Sequence, residues 1–126
     1  MVFVTVWGLY MSGEYLLLNN SEEIAINDYL PSEKKLRDMA CFFQNFSDPT
    51  RLKIISALSI NNLCVNDLAV ILNINQTTIS HQLKYLKNQY IVDSCRIGKI
   101  IVYSLHNRFI NEIMNYAIDS LMSLKF

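Results

Sequence analysis

The 126-residue sequence predicts a mainly α-helical fold with one small β-hairpin, arranged as a winged helix-turn-helix. Three observations predict it. Two short helical patterns are separated only by residues 73–75, which is the sequence form of a helix-turn-helix. Two β-branched, apolar-rich runs then flank Gly98, as in a hairpin with a permissive turn position. The complete order is helix, helix, helix-turn-helix, hairpin and helix.

The composition indicates one domain with a high fraction of apolar residues. Hydrophobic residues make up 52% of the chain beside three glycines and two prolines, which excludes a disordered or collagen-like chain. This fraction is high for a small monomer, so some of the apolar surface is expected to be reserved for a partner. We predict an acidic N-terminal arm over residues 1–31, in part disordered, and a single winged helix-turn-helix domain over residues 32–126.

The N-terminal run and the cysteines indicate in which cellular compartment the protein is located. The uncharged run MVFVTVWGLYM is too short to span a bilayer and lacks the features of a signal peptide. It is either a β-prone arm or an upstream extension with the natural start at Met11. Cys41, Cys64 and Cys95 are widely spaced, which favours a reducing cytosol over a disulfide scaffold. We therefore expect a cytoplasmic protein.

Residues typical of helix N-termini indicate where the first two helices of the domain begin. Pro31 and Ser32 begin a helix whose broad apolar stripe extends to Phe46. Asp48 is a good N-cap for the next helix, and Pro49 occupies its first position, where a missing N–H costs nothing. The inward-facing residues of this second helix are predicted to be Leu52, Ile54, Ile55 and Leu58.

The helix-turn-helix follows directly. Its first helix is predicted over residues 65–72, with apolar residues at i, i+3, i+4 and i+7. Asn75 can cap the second helix, in which apolar residues recur at i, i+4, i+7 and i+11. The predicted buried face of this second helix consists of Ile79, Leu83, Leu86 and Tyr90.

The last elements are a hairpin and a long helix. The hairpin carries Arg96 and Lys99 at or near its tip. The final helix begins near His106, and its apolar stripe from Phe109 to Met122 is wide for one edge of a small domain. Such a stripe indicates a helix that is buried on two sides.

The polar side of the second helix of the helix-turn-helix contains Thr, Ser and His, which are poor helix formers. Their presence on this side therefore indicates a role other than stabilising the helix. In a helix-turn-helix this side enters the major groove, where short polar side chains meet base edges. The charge distribution agrees, because residues 76–108 carry a net charge of +4 and residues 1–33 one of −5. We predict contacts with double-stranded DNA in two groups. The bases would be read by Gln76, Thr77, Thr78, Ser80 and His81, and phosphates or the minor groove held by Lys84, Lys87, Arg96 and Lys99.

Three sequence blocks together resemble the ArsR/SmtB family of bacterial metalloregulatory repressors: SDPTRLKIISAL, LCVNDLAVILNINQTTISHQLKYLKNQYIV and RIGKIIVYSL. The resemblance covers about residues 33–122. It implies a repressor that binds an inverted-repeat operator as a homodimer and is released by an inducer. It also implies dimerisation through the first and last helices of the domain, residues 33–46 and 107–123.

The metal sites of that family are incomplete here. Where the family has a motif like ELCVCDL, this chain has NLCVNDL, which keeps Cys64 but places Asn66 at the second thiolate position. Soft ions need two to four thiolates, so Cys64 is a weak ligand candidate and is interpreted as a small buried hydrophobe. The second family site maps onto residues that are not a competent Zn(II) ligand set. These are Asn107, Phe109, Ser120 and Ser123. We predict no cofactor and identify no metal.

Several alternatives stay open at the level of sequence. The protein could respond to no inducer, to oxidants or reactive sulfur through its cysteines, or to a metal in a site assembled differently, across the dimer with Cys41 or with the acidic arm. An enzyme is not indicated, because no nucleophile–base pair, phosphate loop or cofactor fingerprint is visible. The alternative functions are a thiol-responsive repressor and a winged helix that contacts protein instead of DNA.

Overall fold

The computed structural model describes residues 15–123, and these divide after Asp38 into two units, residues 15–38 and residues 39–123. Both interpretations of the N-terminal run, a β-prone arm and an upstream extension, concern residues outside this range. Among residues 15–123, no helix has the length and apolar character needed to cross a membrane.

Helix α1, Asn20–Tyr29, lies inside the predicted N-terminal arm and was not expected from the sequence. Asn19 Oδ1 accepts a hydrogen bond from the Glu22 N–H at 2.9 Å, and Glu22 Oε2 accepts one from the Asn19 N–H at 3.0 Å. This reciprocal capping box starts the helix. Nearby, the Tyr15 hydroxyl donates to Glu23 Oε1 at 3.0 Å, and this bond to a carboxylate raises the pKa of the Tyr15 phenol.

Helices α2, Glu33–Gln44, and α3, Pro49–Ile60, follow as predicted. Asp48 is the N-cap of α3, because its carboxylate accepts a hydrogen bond from the Arg51 N–H at 2.9 Å. Beyond the end of α2, Asn45 is buried and its Nδ2 donates to the carbonyl oxygen of Phe42 at 2.9 Å. The chain therefore turns between the two helices with one end of the buried Asn45 amide paired to the backbone.

The helix-turn-helix consists of α4, Val65–Leu72, and α5, Gln76–Asn88. Between them Asn73 adopts the left-handed conformation with φ 54°, which ends α4 within one residue. Asn75 caps α5, as predicted, by accepting a hydrogen bond from the Thr78 N–H at 2.8 Å. The turn is thus fixed by two asparagines that suit these backbone positions.

The prediction for Tyr90 was wrong. Helix α5 ends at Asn88, so the helical period does not extend to residue 90. Tyr90 has φ 58° and is 73% exposed, while the next residue, Ile91, is fully buried. The Ile91 N–H donates to the Leu86 carbonyl at 2.9 Å, which is the backbone pattern of a helix that closes on a left-handed residue.

The wing is a hairpin of β1, Val92–Ile97, and β2, Ile100–Leu105, paired from Val92 opposite Leu105 to Ile97 opposite Ile100. Gly98 has φ +63°, so the predicted permissive turn position is confirmed. Leu63, just before α4, forms a backbone bridge to Tyr103 of β2 and joins the wing to the helix-turn-helix.

Helix α6, Arg108–Ser123, closes the described chain, with Asn107 Oδ1 accepting a hydrogen bond from the Ile110 N–H at 3.2 Å. Within residues 15–123, α6 is covered on one side, chiefly at Ile110 and Met114. The core of the second unit joins α3, α4, α5, the start of the wing and α6. Its fully buried side chains include Ile54, Ile55, Leu68, Ile79, Leu83, Leu86, Ile91 and Val92.

Candidate DNA-binding surface

The two sides of α5 differ completely in exposure. Ile79, Leu83 and Leu86 have no exposed surface, which holds the helix firmly against the core. The predicted base-reading and phosphate-binding side chains of α5 lie on the remaining surface. Among them Gln76, Thr77, Ser80, His81, Lys84 and Lys87 are exposed, and Thr78 is half-buried. The helix therefore presents a mainly polar side to solvent, with Tyr85 as an exposed aromatic residue on its flank.

The N-terminal end of α5 is tied to α4 by a side-chain contact. Gln76 Nε2 donates a hydrogen bond to Asn66 Oδ1 at 2.9 Å. Because Thr78 is half-buried and its N–H is committed to the Asn75 cap, it is less accessible than Gln76 and Thr77. Sequence reasoning identified the residues of this end but not the contact, since Asn66 and Gln76 are ten positions apart on different helices.

The C-terminal end of α5 is tied to the wing. Lys87 Nζ donates a hydrogen bond to Ser94 Oγ of β1 at 2.5 Å, so its ammonium group is already partly engaged. At the wing tip, Arg96 is exposed and its Nε donates to the Gly98 carbonyl at 3.2 Å. Lys99 is exposed on the same turn. The structure thus places two cations at the tip, as predicted.

A groove of about 750 Å³ lies between the helix-turn-helix and the wing. It brings together Gln76 and Ser80 from α5 with Lys99 from the wing tip. Cys64 and Asn66 from the start of α4 line it as well, as do the apolar residues of β2. Three of the predicted residues, Gln76, Ser80 and Lys99, therefore border one concave surface, and the other six do not line it.

Arg51 makes contacts between two helices that the sequence reasoning missed. Its guanidinium carbon lies 4.6 Å from the ring centroid of Tyr85, a residue of α5, in a cation–π contact. Its Nε also lies 3.9 Å from Asp48 Oδ2, the N-cap carboxylate of α3. Arg51 thus joins the start of α3 to the middle of α5. Tyr85, an aromatic residue on the flank of a polar helix, was the sequence feature that could have indicated such a contact.

Comparison with known proteins agrees with this geometry. The family model described as bacterial regulatory protein, arsR family, matches residues 48–94. A transcriptional repressor SmtB homolog from Synechocystis is 40% identical over 79 residues, which is 63% of this chain and 58% of that protein. The HTH-type transcriptional regulator NmtR of Mycobacterium tuberculosis is 36% identical over 80 residues, covering 64% of this chain and 67% of NmtR. The chain belongs to the ArsR family.

Two solved structures show the same fold as this ArsR-family chain. A solution structure of apo-NmtR superposes with a TM-score of 0.69 at 31% identity, over 77% of this chain and 82% of that one. The homodimeric winged helix-turn-helix domain Mb0332 of Mycobacterium bovis superposes with a TM-score of 0.65 at 22% identity, over 74% and 89%. The predicted family and winged helix-turn-helix fold are confirmed, and with them the functional class, DNA-binding transcriptional regulation.

The residues at the first metal-site positions of ArsR-family proteins do not fit a metal ion in this chain. Cys64 is half-buried at the N-cap of α4, not fully buried as predicted, and the amide of Asn66 is bonded to Gln76. Asn107 at the second site is used as the cap of α6. Within residues 15–123, no group of three or more His, Cys, Asp or Glu side chains is arranged to hold a metal. One thiol beside two amides lacks the ligands that soft or borderline ions require.

The other side chains near those positions have local partners. Phe109 is exposed, and Ser123 Oγ donates to the Ser120 carbonyl at 2.9 Å. His106 Nδ1 lies 3.0 Å from Asp93 Oδ1, which pairs the end of the wing with its start. Cys41 and Cys95 are free and exposed. His106 is therefore engaged in a structural pair within the wing.

Proposed function

We propose that this protein is a transcriptional repressor that inserts α5 into the major groove of an operator. The observation that carries the proposal is the division of α5 into an apolar side with no exposed surface at Ile79, Leu83 and Leu86 and a polar side that is mostly exposed. A helix held this rigidly can present short side chains to base edges in one register. The chain acts in the cytosol and has no catalytic role in this proposal.

The residues predicted to contact DNA divide into two roles. Gln76, Thr77, Thr78, Ser80 and His81 read bases, because hydroxyls, an amide and an imidazole match the donors and acceptors of the major groove. Lys84 and Lys87 hold phosphates, and Arg96 and Lys99 reach an adjacent phosphate or the minor groove. Phosphate contacts fix the register, and base contacts supply the specificity.

The operator-binding form is a homodimer through residues 33–46 and 107–123. Both segments carry large apolar side chains that the single chain leaves exposed: Leu36, Met39, Phe43, Phe109, Ile118, Leu121 and Met122. Exposed apolar surface of this extent is typical of a protein interface. The Mb0332 domain, which has the same fold, is homodimeric. A twofold dimer carries two α5 helices and therefore reads an inverted repeat.

The inducer is not a metal bound at the family positions, since those residues do not form a ligand set. A thiol-responsive mechanism would use the exposed Cys41 or Cys95, or the half-buried Cys64. We assign no inducer. Repression through α5 does not depend on which signal releases the protein.

Salt-dependent DNA binding tests the proposal against the protein-contact alternative. Each protomer places four cations on phosphates. A plot of the logarithm of the binding constant against the logarithm of the salt concentration should therefore have a slope of roughly −7 for the dimer. Replacing both Lys84 and Lys99 with Ala should make this slope shallower by about 3 to 4. Lys53→Ala, on the exposed surface of α3, is the matched control and should leave it unchanged. Binding that does not respond to salt would refute DNA recognition.

A further inference from the structure

Asn66 contacts a proposed base-reading residue from outside α5. Its Oδ1 accepts the hydrogen bond from Gln76 Nε2 at 2.9 Å, and both side chains are exposed on the groove between helix and wing. Asn66 is the second residue of α4, and Gln76 is the first residue of α5. The bond therefore spans the two helices of the motif at the end that faces DNA in the proposed function.

We propose that Asn66 is a positioning residue that sets base specificity through Gln76. The inference rests on the proposed function and adds one residue to it. An amide side chain has one carbonyl acceptor and two N–H donors. When Asn66 engages one N–H, Gln76 retains its Oε1 and its second N–H. These are the two groups with which glutamine reads adenine, accepting from N6 and donating to N7.

The contact also favours one direction of the Gln76 amide. A free glutamine amide can rotate and exchange the positions of its oxygen and nitrogen, which would present the wrong pattern to a base. The acceptor on Asn66 favours the orientation that has the nitrogen on its side. A side chain ordered before binding also loses less conformational entropy when DNA arrives.

The backbone on both sides of the contact is held rigidly. The Ile74 N–H donates to the Ala69 carbonyl at 3.1 Å across the left-handed turn. Leu68 of α4 and Ile79 of α5 have no exposed surface. The distance between the two helix starts is therefore set by the fold, and the side-chain bond acts on an already defined geometry.

The test is a selection of bound duplexes from a random pool with wild type, Gln76→Ala and Asn66→Ala. The position that loses its adenine preference in Gln76→Ala identifies the base read by Gln76. At that position Asn66→Ala should lower the preference about three- to tenfold, part of what a bidentate pair supplies, without changing the salt slope. The double variant should lose no more than Gln76→Ala alone, because both changes act on one contact.

Two further variants separate positioning from a merely structural role. Asn66→Asp keeps the acceptor and should keep the adenine preference, although its negative charge weakens binding to every duplex. Asn62→Ala is the matched control, since Asn62 lines the same groove and has no hydrogen bond to Gln76 within the described residues. It should leave the preference unchanged.

The failures are distinguishable. If Asn66→Ala retains the full preference that Gln76→Ala abolishes, the positioning role is wrong and DNA recognition by α5 stands. If Gln76→Ala changes no position, the role of Asn66 is overturned with that of Gln76. A wild-type protein that enriches no sequence would refute the proposed function itself.

Discussion

Helices α5 and α6 are both two-sided, yet the chain leaves opposite sides of them uncovered. In α5 the apolar side is sealed, with Ile79, Leu83 and Leu86 at 0% exposure, and the polar side is open. In α6 only Ile110 and Met114 are buried, while Leu121 is 59% and Met122 is 80% exposed. The chemistry of the open side indicates the partner. A polar side suits the major groove, and an apolar side suits a second copy of the chain.

The largest expected effect on stability comes from a substitution on the buried side of α5. Leu83→Ala should lower the free energy of unfolding by roughly 2–5 kcal/mol, because it removes buried methyl groups and leaves a cavity in the core. Urea unfolding followed by circular dichroism measures this change. Protein concentration is held fixed, because the stability of a dimer depends on it.

The control for this change lies on the open side of α6. Met122→Ala truncates an exposed apolar side chain and should change the stability of the monomer by less than about 0.5 kcal/mol. The measurement is made at a concentration that favours the monomer. Equal losses in the two variants would mean that the two helices are not covered differently.

A smaller effect is expected from a charge on the open side of α6. Leu121→Glu should leave the chain folded and weaken dimerisation at least tenfold, about 1.4 kcal/mol, because the carboxylate would be buried unpaired in the interface. Sedimentation equilibrium measures the dimer dissociation constant.

Val70→Glu is the matched control for this second change. Val70 is also an exposed apolar residue, but it lies on α4, outside the proposed interface. Its substitution should leave the dissociation constant unchanged. A Leu121→Glu protein that dimerises as strongly as wild type would exclude this part of α6 from the interface.

Local sequence signals predicted the parts of the fold that local interactions determine. Asp48 and Asn75 were recognised as caps because an N-cap bonds only two or three residues ahead. Gly98 was recognised because a two-residue hairpin requires a positive φ. Helical periodicity predicted the buried side of α5 correctly as far as Leu86. The prediction was wrong at Tyr90 because the helix ends at Asn88.

Contacts between distant positions could not be predicted in the same way. The bonds from Gln76 to Asn66 and from Lys87 to Ser94 depend on how two elements pack, which no local pattern encodes. The same holds for Arg51 above the ring of Tyr85. Helix α1 is a different case, since the capping signature of Asn19 and Glu22 was present in the sequence and its acidic composition was given more weight.

The most direct test of the account is the base selectivity of the α5 polar side. Fluorescence anisotropy would compare a duplex selected from a random pool with a scrambled duplex, for wild type and for the Ser80→Ala, His81→Ala double variant. The account predicts that the variant loses the preference for the selected duplex. It should still bind both duplexes at low salt, because its phosphate-binding Lys and Arg side chains remain. A variant that keeps the wild-type preference would contradict the assignment of α5 as the helix that reads DNA.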